Sequence, residues 1–279
     1  MTNIGLDSEF EEVWSAFQRD IKSDEDAADA LYQSLIESSQ TICGCSILHF
    51  HHKRGARFYT CRSCRSDYWF TSSTALDGVV RLRAWLAAIF FKDHGFAISA
   101  ARLSRLVDVA PSTAQNIHKT LALVICDEMP EAETVSASWF SQIIFKRSLQ
   151  TPAECHPRAE LLDQDAAHAP EVFSEHSLGH SESMPFEFNY SATARDFDLA
   201  PARLKLAVSQ FVGLISREFH GISKKCLQLY LASFWCSSDR VRWAPGVLLQ
   251  ACLRHAPIRY EQILNCVSPS RVMMMLPPS

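Results

Sequence analysis

The sequence has no apolar run that could cross a bilayer. Its most apolar stretch, AWLAAIFF at 84–91, falls far short of the ~20 residues a spanning helix needs and sits between charges. It has no apolar N-terminal segment either: MTNIGLDSEFEE is acidic, which argues against a secretory signal. There is no internal repeat, and no nucleophile motif supports a hydrolase. Without an export signal the ten cysteines are expected as thiols or metal ligands in a reducing, cytoplasmic setting, not as disulfides. With 279 residues and 47% hydrophobic composition the chain can bury a sizeable core or form two or three small domains.

A net charge of −4 conceals alternating blocks. Residues 1–42 carry 2 basic and 10 acidic groups, and 43–125 carry 11 and 4. Residues 126–200 carry 4 and 14, and 201–279 carry 10 and 3. A basic block that also contains clustered cysteines is a candidate polyanion-binding surface; solvated charged faces are the plainer reading.

Helical spacing places Phe10, Val13, Trp14 and Phe17 on one face of 8–19. Ser23 and Asp26 resemble a capping box ahead of Ala27, Leu31 and Leu35. The chain is expected to be helical again over 78–126. Residues 148–200, rich in Pro, His, Ser and acids, read as loop or linker, so His156, His168, His176 and His180 are expected to be solvated and not a second metal site. WFSQIIFKR (139–147) and MPFEFNYS (184–191) read as strands. Helical patterns return over 201–266, with the cysteines of these helices (Cys226, Cys236, Cys252 and Cys266) expected in the core, and VMMMLPPS reads as a loose end.

The stretch CGCSILHFHHKRGARFYTCRSC (43–64) has two cysteine pairs around an alternating, hairpin-like insert with a KRGA turn. Four thiolates in two pairs suit one tetrahedral, structural zinc, which gives a zinc ribbon with ligands Cys43, Cys45, Cys61 and Cys64. The first pair is one residue short of the usual spacing, so His49, His51 or His52 could replace an early cysteine. The outward surface is expected to offer Lys53, Arg54, Arg57, Arg62 and Arg65, with Tyr59, Tyr68 and Trp69 between them.

Behind it, Val79, Leu82, Leu86, Ile89 and Phe90 form an apolar stripe. Ser99 caps AARLSRLV, DVAP turns, and Pro111 opens STAQNIHKTLALVI. With Leu103, Leu106, Val109, Ala114, Ile117 and Leu121 inward, this is a helix-turn-helix pattern. Ser112, Thr113, Gln115, Asn116, His118 and Lys119 would face DNA bases or phosphates. A three-helix bundle with a merely solvated polar face is the alternative.

RFYTCRSCRSDYWFTSSTALDG, RLRAWLAAIFF and GFAISAARLSRLVDVAPSTAQNIHK, in this order, resemble the N-terminal half of zinc-ribbon insertion-sequence transposases of the ISXO type, related to the Merlin transposases. SQFVGLISREFHGISKKCLQLYLASFWCSSDRV (209–241) resembles that family's C-terminal end. The resemblance implies an RNase H-like core with two Asp and one Glu holding Mg²⁺. The DET segment of the first Asp does not occur here; Asp127 is the nearest candidate, and Ser209 aligns with the final Glu. The catalytic core is therefore expected to be reduced or lost, with no catalytic residue assigned.

The expected fold is mainly α with a little β. It comprises acidic N-terminal helices (1–42), a zinc ribbon (43–75), a helix-turn-helix (76–128), an acidic remnant α/β or irregular region (129–200) and C-terminal helices (201–279). The expected function is non-catalytic, regulatory binding of duplex DNA, as a homodimer by default and without a membrane. An active transposase with a divergent acidic triad, and a scaffold that uses the ribbon and the rest of the front half to bind a protein partner, are the alternatives; a protein partner could also meet the acidic or C-terminal region.

Overall fold

A computed structural model describes residues 4–37, 44–45, 50–129, 132–140, 197, 199–219, 221–264, 268 and 271–276. The described chain is mainly helical with small antiparallel sheets, and no described helix is long and apolar enough to cross a membrane. From residue 141 on, the strand expected over 139–147 lies outside the described residues, as do the strand expected over 184–191 and the histidine-bearing part of the linker. The chain divides into two compact units, Met1–Val135 with Lys225–Ser279, and Ser136–Lys224.

The first unit opens with α1 (Ile4–Asp20) and α2 (Asp24–Glu37). The capping box at α2 forms: the Ser23 hydroxyl accepts from the Asp26 N–H at 3.1 Å, and the Asp26 carboxylate accepts from the Ser23 N–H at 3.0 Å. These bonds satisfy N–H groups that a helix start leaves open. A three-stranded antiparallel sheet follows, β1 (Phe50–His52), β2 (Phe58–Cys61) and β3 (Asp67–Trp69), in the order β1-β2-β3. Next come α3 (Leu82–Asp93), α4 (Ala100–Val107) and α5 (Pro111–Asp127).

Helix α3 has almost no polar face. Leu82, Ala84, Leu86, Ala87, Ala88, Ile89 and Phe91 are all buried, as expected of a helix apolar all round. It packs against α1, α2, α4 and α5. It also packs against two C-terminal helices, α7 (Leu227–Ser238) and α8 (Val247–Arg254). On the α1 side the Phe10 ring stacks on Phe91 at 4.9 Å, and Trp14 on Phe91 at 5.6 Å. Arg102 lies 3.5 Å over the Phe10 ring. In the first unit one apolar cluster runs from Phe10 through Tyr59 and Leu121 to Leu253.

The far end of α3 carries charge into this core. Arg240 donates to the carbonyls of Lys92 and Asp93, meeting acceptors that a helix end leaves open. The Asp93 carboxylate accepts from the Gly246 N–H at 2.9 Å through one oxygen, while its other oxygen has no partner among the described residues. Burial pushes the Asp93 carboxyl up to about 6 and lowers Lys92. Of the cysteines expected in the core, Cys236 and Cys252 are buried, Cys226 is half-buried and Cys266 lies outside the described residues.

The described start of the tail is not loose. Strand β5 (Arg271–Met274) pairs with β4 (Glu133–Ser136), burying Val272 and Met274. The Gln228 amide accepts from the Met273 N–H at 2.7 Å and donates to its carbonyl at 3.1 Å. A short helix, α9 (Tyr260–Leu264), packs on α5. In the second unit, α6 (Ala202–Glu218) packs on a 3-10 turn (Ala137–Phe140), with Phe140 edge-on to Phe211 at 5.4 Å. Residues 139–140 were expected to open a strand; they close this turn instead, burying Phe140 against α6.

Two outcomes test this packing. Gly55 has φ +74, and a Cβ there would lie 3.0 Å from the Glu25 Cβ, whereas one at Gly78, also at positive φ, would meet nothing. Gly78→Ala should cost about 1 kcal/mol from left-handed backbone strain alone. Gly55→Ala should cost measurably more by urea denaturation, because the turn must also lift off α2. The second outcome concerns pH. The folded-state pKa of Asp93 is raised, so its contribution to stability is complete below the unfolded value and lost as the pH rises through about 6. Asp93→Asn keeps an acceptor for Gly246 and should gain about 2–3 kcal/mol on the wild type between roughly pH 4 and pH 8. A gap that does not move with pH would contradict that assignment.

Candidate metal centre

The sheet register positions the cysteines. Phe50 lies opposite Cys61, His51 opposite Thr60 and His52 opposite Tyr59. Phe58, Tyr59 and Thr60 face Trp69, Tyr68 and Asp67. Residues alternate across the sheet, so Tyr59 and Cys61 point to the core and both are fully buried. Past Cys61 the chain makes a tight knuckle: Arg65 takes φ +59 and its N–H donates to the Cys61 carbonyl at 2.7 Å, while the Cys61 N–H donates to Ser66 at 3.0 Å. Gly44, at φ +69, supplies the left-handed residue of the opposing turn.

The thiols of Cys45, Cys61 and Cys64 come within 4.8 Å of one another and could hold a metal ion. Tetrahedral thiolate ligands at about 2.3 Å from zinc stand about 3.8 Å apart, so the set fits with a small contraction. Cys43, the fourth expected ligand, lies outside the described residues, as does His49. Cys64 is exposed. A hydrogen bond from the Tyr68 hydroxyl, 3.5 Å away, together with the Ser66 N–H, holds its thiol down to about 6. Metal ligation needs the thiolate, so this favours the form a metal takes up.

Among the described residues no histidine joins the cluster. His52 is committed elsewhere: its ring stacks on Tyr32 at 3.9 Å and its Nε2 meets the Ala56 carbonyl at 2.8 Å. Beside it the Gly55 N–H donates to Asp29 at 2.7 Å. These contacts seat the β1–β2 turn on α2. His51 is exposed on the opposite face.

The basic residues divide into two groups. Lys53 and Arg54 are exposed in the turn, with Arg54 Nε 3.7 Å from Asp29, and Arg62 and Arg65 are exposed on the knuckle. Arg57 is instead bonded to the carbonyls of Val79 and Val80, where it holds the segment leading into α3. Tyr59 is buried and Tyr68 half-buried, so of the three aromatic residues expected at the surface only Trp69 is broadly exposed.

Behind the sheet, α4 and α5 meet through a turn of three residues, 108–110. Ser99 caps α4, accepting from the Arg102 N–H at 3.2 Å. Asp108 takes φ +49, and the Ser104 hydroxyl donates to Val109 at 2.7 Å across the turn. Leu103, Ala114, Ile117 and Leu121 are buried as their spacing predicts, and Leu106 and Val109 partly so. At the start of α5, Ser112 and Gln115 are exposed, while Thr113, Asn116 and Lys119 are half-buried. His118 departs from the expectation of a surface contact: its Nε2 is sealed from solvent with no partner among the described residues, and burial pulls its pKa down to about 3.

No protein-family model, curated protein or solved structure matches this chain.

Asp127, the nearest candidate for a catalytic carboxylate, pairs with His255 Nε2 at 2.7 Å. The further carboxylates on which a divergent acidic triad could draw, Glu154, Asp163, Asp165, Glu187, Asp196 and Asp198, lie outside the described residues.

A bound metal should be removable. Wild-type protein is expected to carry about one zinc per chain. Cys61→Ser with Cys64→Ser should bring this close to zero and lower the melting temperature, as measured by elemental analysis and calorimetry. Metal-free wild-type protein with an unchanged melting temperature would reject the site.

Proposed function

We propose that this chain is a transposase-derived DNA-binding protein without a catalytic centre, which grips duplex DNA with a zinc ribbon and a helix-turn-helix. The observation that carries this reading is the clustering of three cysteine thiols at the end of a basic three-stranded sheet. That sheet shares one core with the α4–α5 pair. Three thiolates with Cys43 as the fourth would make a closed, structural zinc site with no position left for a reacting water. The zinc would fix the knuckle that carries Arg62 and Arg65. Helix α5 would present Ser112 and Gln115, with Thr113, Asn116 and Lys119 beside them, to a groove.

Several features support descent from the ISXO-type transposases. The order of cysteine segment, central apolar helix and helix pair is the one quoted above for that family. The pairing of Asp127 with His255 supports loss of the catalytic centre, since that carboxylate already has a partner. In this reading the protein acts as a regulator of DNA, as a two-fold dimer by default.

The test is salt-dependent binding to random-sequence duplex DNA, with Mg²⁺ or Mn²⁺ added in parallel. Binding that weakens steeply with salt, without nicking, is the expected result. Arg62→Ala with Arg65→Ala should flatten the slope of log K against log salt by about 1–2. Gln115→Ala with Asn116→Ala should narrow the gap between preferred and random sequences while leaving the slope in place. Nicking that an acidic substitution abolishes would restore the active transposase. Absence of binding at low salt would leave the ribbon a protein-docking module.

A further inference from the structure

The outward face of the three-stranded sheet carries an aromatic pair that the cysteine centre does not use. Side-chain alternation sends Tyr59 and Cys61 inward and turns Phe58 and Thr60 to the other side. Trp69 lies directly opposite Phe58 in the β2–β3 register, with ring centroids 5.6 Å apart and planes tilted by 42°. Trp69 is 55% exposed, against 0% for Tyr59 on the inner face of the same sheet. Val80, 75% exposed, is drawn to the same end of the sheet, because Arg57, next to Phe58 in the chain, bonds to its carbonyl. The Trp69 ring, paired with Phe58 on one side, thus leaves aromatic surface open to solvent.

The surroundings indicate what would bind. The turn that leads into Phe58 carries Lys53 and Arg54, both exposed. Asp29 lies near Arg54 but also accepts from the Gly55 N–H, and the Arg54 side chain remains 90% exposed. The face is not uniformly basic: Asp67 lies one row away, where its carboxylate accepts from the Thr60 hydroxyl at 2.6 Å. That carboxylate is at the knuckle end, and the Trp69 end is the one beside the cationic turn. A flat π-surface with cations alongside matches a nucleotide whose base is free to stack and whose phosphates reach the turn. Bases inside a duplex offer no free face, so such a site selects unpaired ones.

We infer that Trp69, backed by Phe58, is a stacking platform for an unpaired nucleobase at a single-stranded tail or fork, with Lys53 and Arg54 holding its phosphates. This rests on the DNA-binding reading above and adds to it the kind of DNA end recognised. The platform makes the junction between duplex and single strand, rather than uniform duplex, the favoured ligand.

The experiment titrates the full chain with three labelled probes at one fixed salt concentration: a blunt duplex, the same duplex with a thymidine tail of about ten nucleotides, and the tail alone. Wild type should prefer the tailed duplex to the blunt one. Trp69→Ala should weaken binding to the tailed duplex and the tail by roughly ten-fold, with blunt duplex affected by less than about two-fold. Trp69→Tyr, which keeps a stacking ring, should restore most of the difference, a rescue that a merely structural role would not give. Equal wild-type binding of blunt and tailed duplex, or a Trp69→Ala variant that weakens all probes alike or none, overturns the platform and leaves duplex binding standing. Wild-type protein that binds none of the probes overturns both readings and assigns the patch to a protein partner.

Discussion

Helix α3 is apolar nearly all round, and that one constraint decides which parts of the chain must meet. Two N-terminal helices cover one flank, α4 and α5 another, and α7 and α8 close the rest. Leaving even one buried Leu- or Phe-sized side chain open would cost about 1.5–3 kcal/mol. The C-terminal helices are therefore not an appended module. They complete the core on which the sheet and the α4–α5 pair are mounted. The connecting segment confirms how closely these parts are joined: Phe70, Thr71 and Thr74 are buried, and the Ala75 N–H donates to Cys252 of α8 at 3.0 Å.

The three-stranded sheet is held from two ends by different means. At one end Gly55 and His52 lock its turn onto α2, using Asp29, Tyr32 and a close approach to Glu25. At the other end the cysteine thiols gather. Strands of three or four residues are too short to hold their own register in water. A metal at the cysteine end would restrain them there, in the same way that small metal-bound domains borrow folding energy from their ligands. Substitutions at the turn and at the cysteines should thus act on one element through opposite ends.

Periodicity made the helices legible. Phe10, Trp14 and Phe17, then Ala27, Leu31 and Leu35, then Leu103, Ala114, Ile117 and Leu121 are all buried as their spacing predicts, and the Ser23–Asp26 cap forms. The cysteine cluster could be read because its spacing is local. Long-range partnership could not be read. The pairing of β5 with β4 joins residues well over a hundred positions apart and depends on Gln228 imitating a strand edge. Tyr59 and His118 were expected at the surface from their polar neighbours, yet the pleat of β2 buries the first and the core end of α3 receives the second.

The charge pattern also changes meaning once the side chains are placed. The 43–125 block carries 11 basic residues, a number that suggests a broad cationic surface. Much of that charge is used internally. Arg57 holds the approach to α3, Arg81 donates to Asp108 at the α4–α5 turn, Arg83 bonds to Ile21, Arg102 covers Phe10 and Lys92 is buried. The cations left outward on the sheet are Lys53 and Arg54 at its turn and Arg62 and Arg65 at its knuckle. An anion binding there meets two small patches at opposite ends of the strands, not a continuous band. A polyanion that touches both must lie along the outward face, and the aromatic pair of Phe58 and Trp69 lies on that same face. Geometry, more than net charge, therefore sets what this surface can hold.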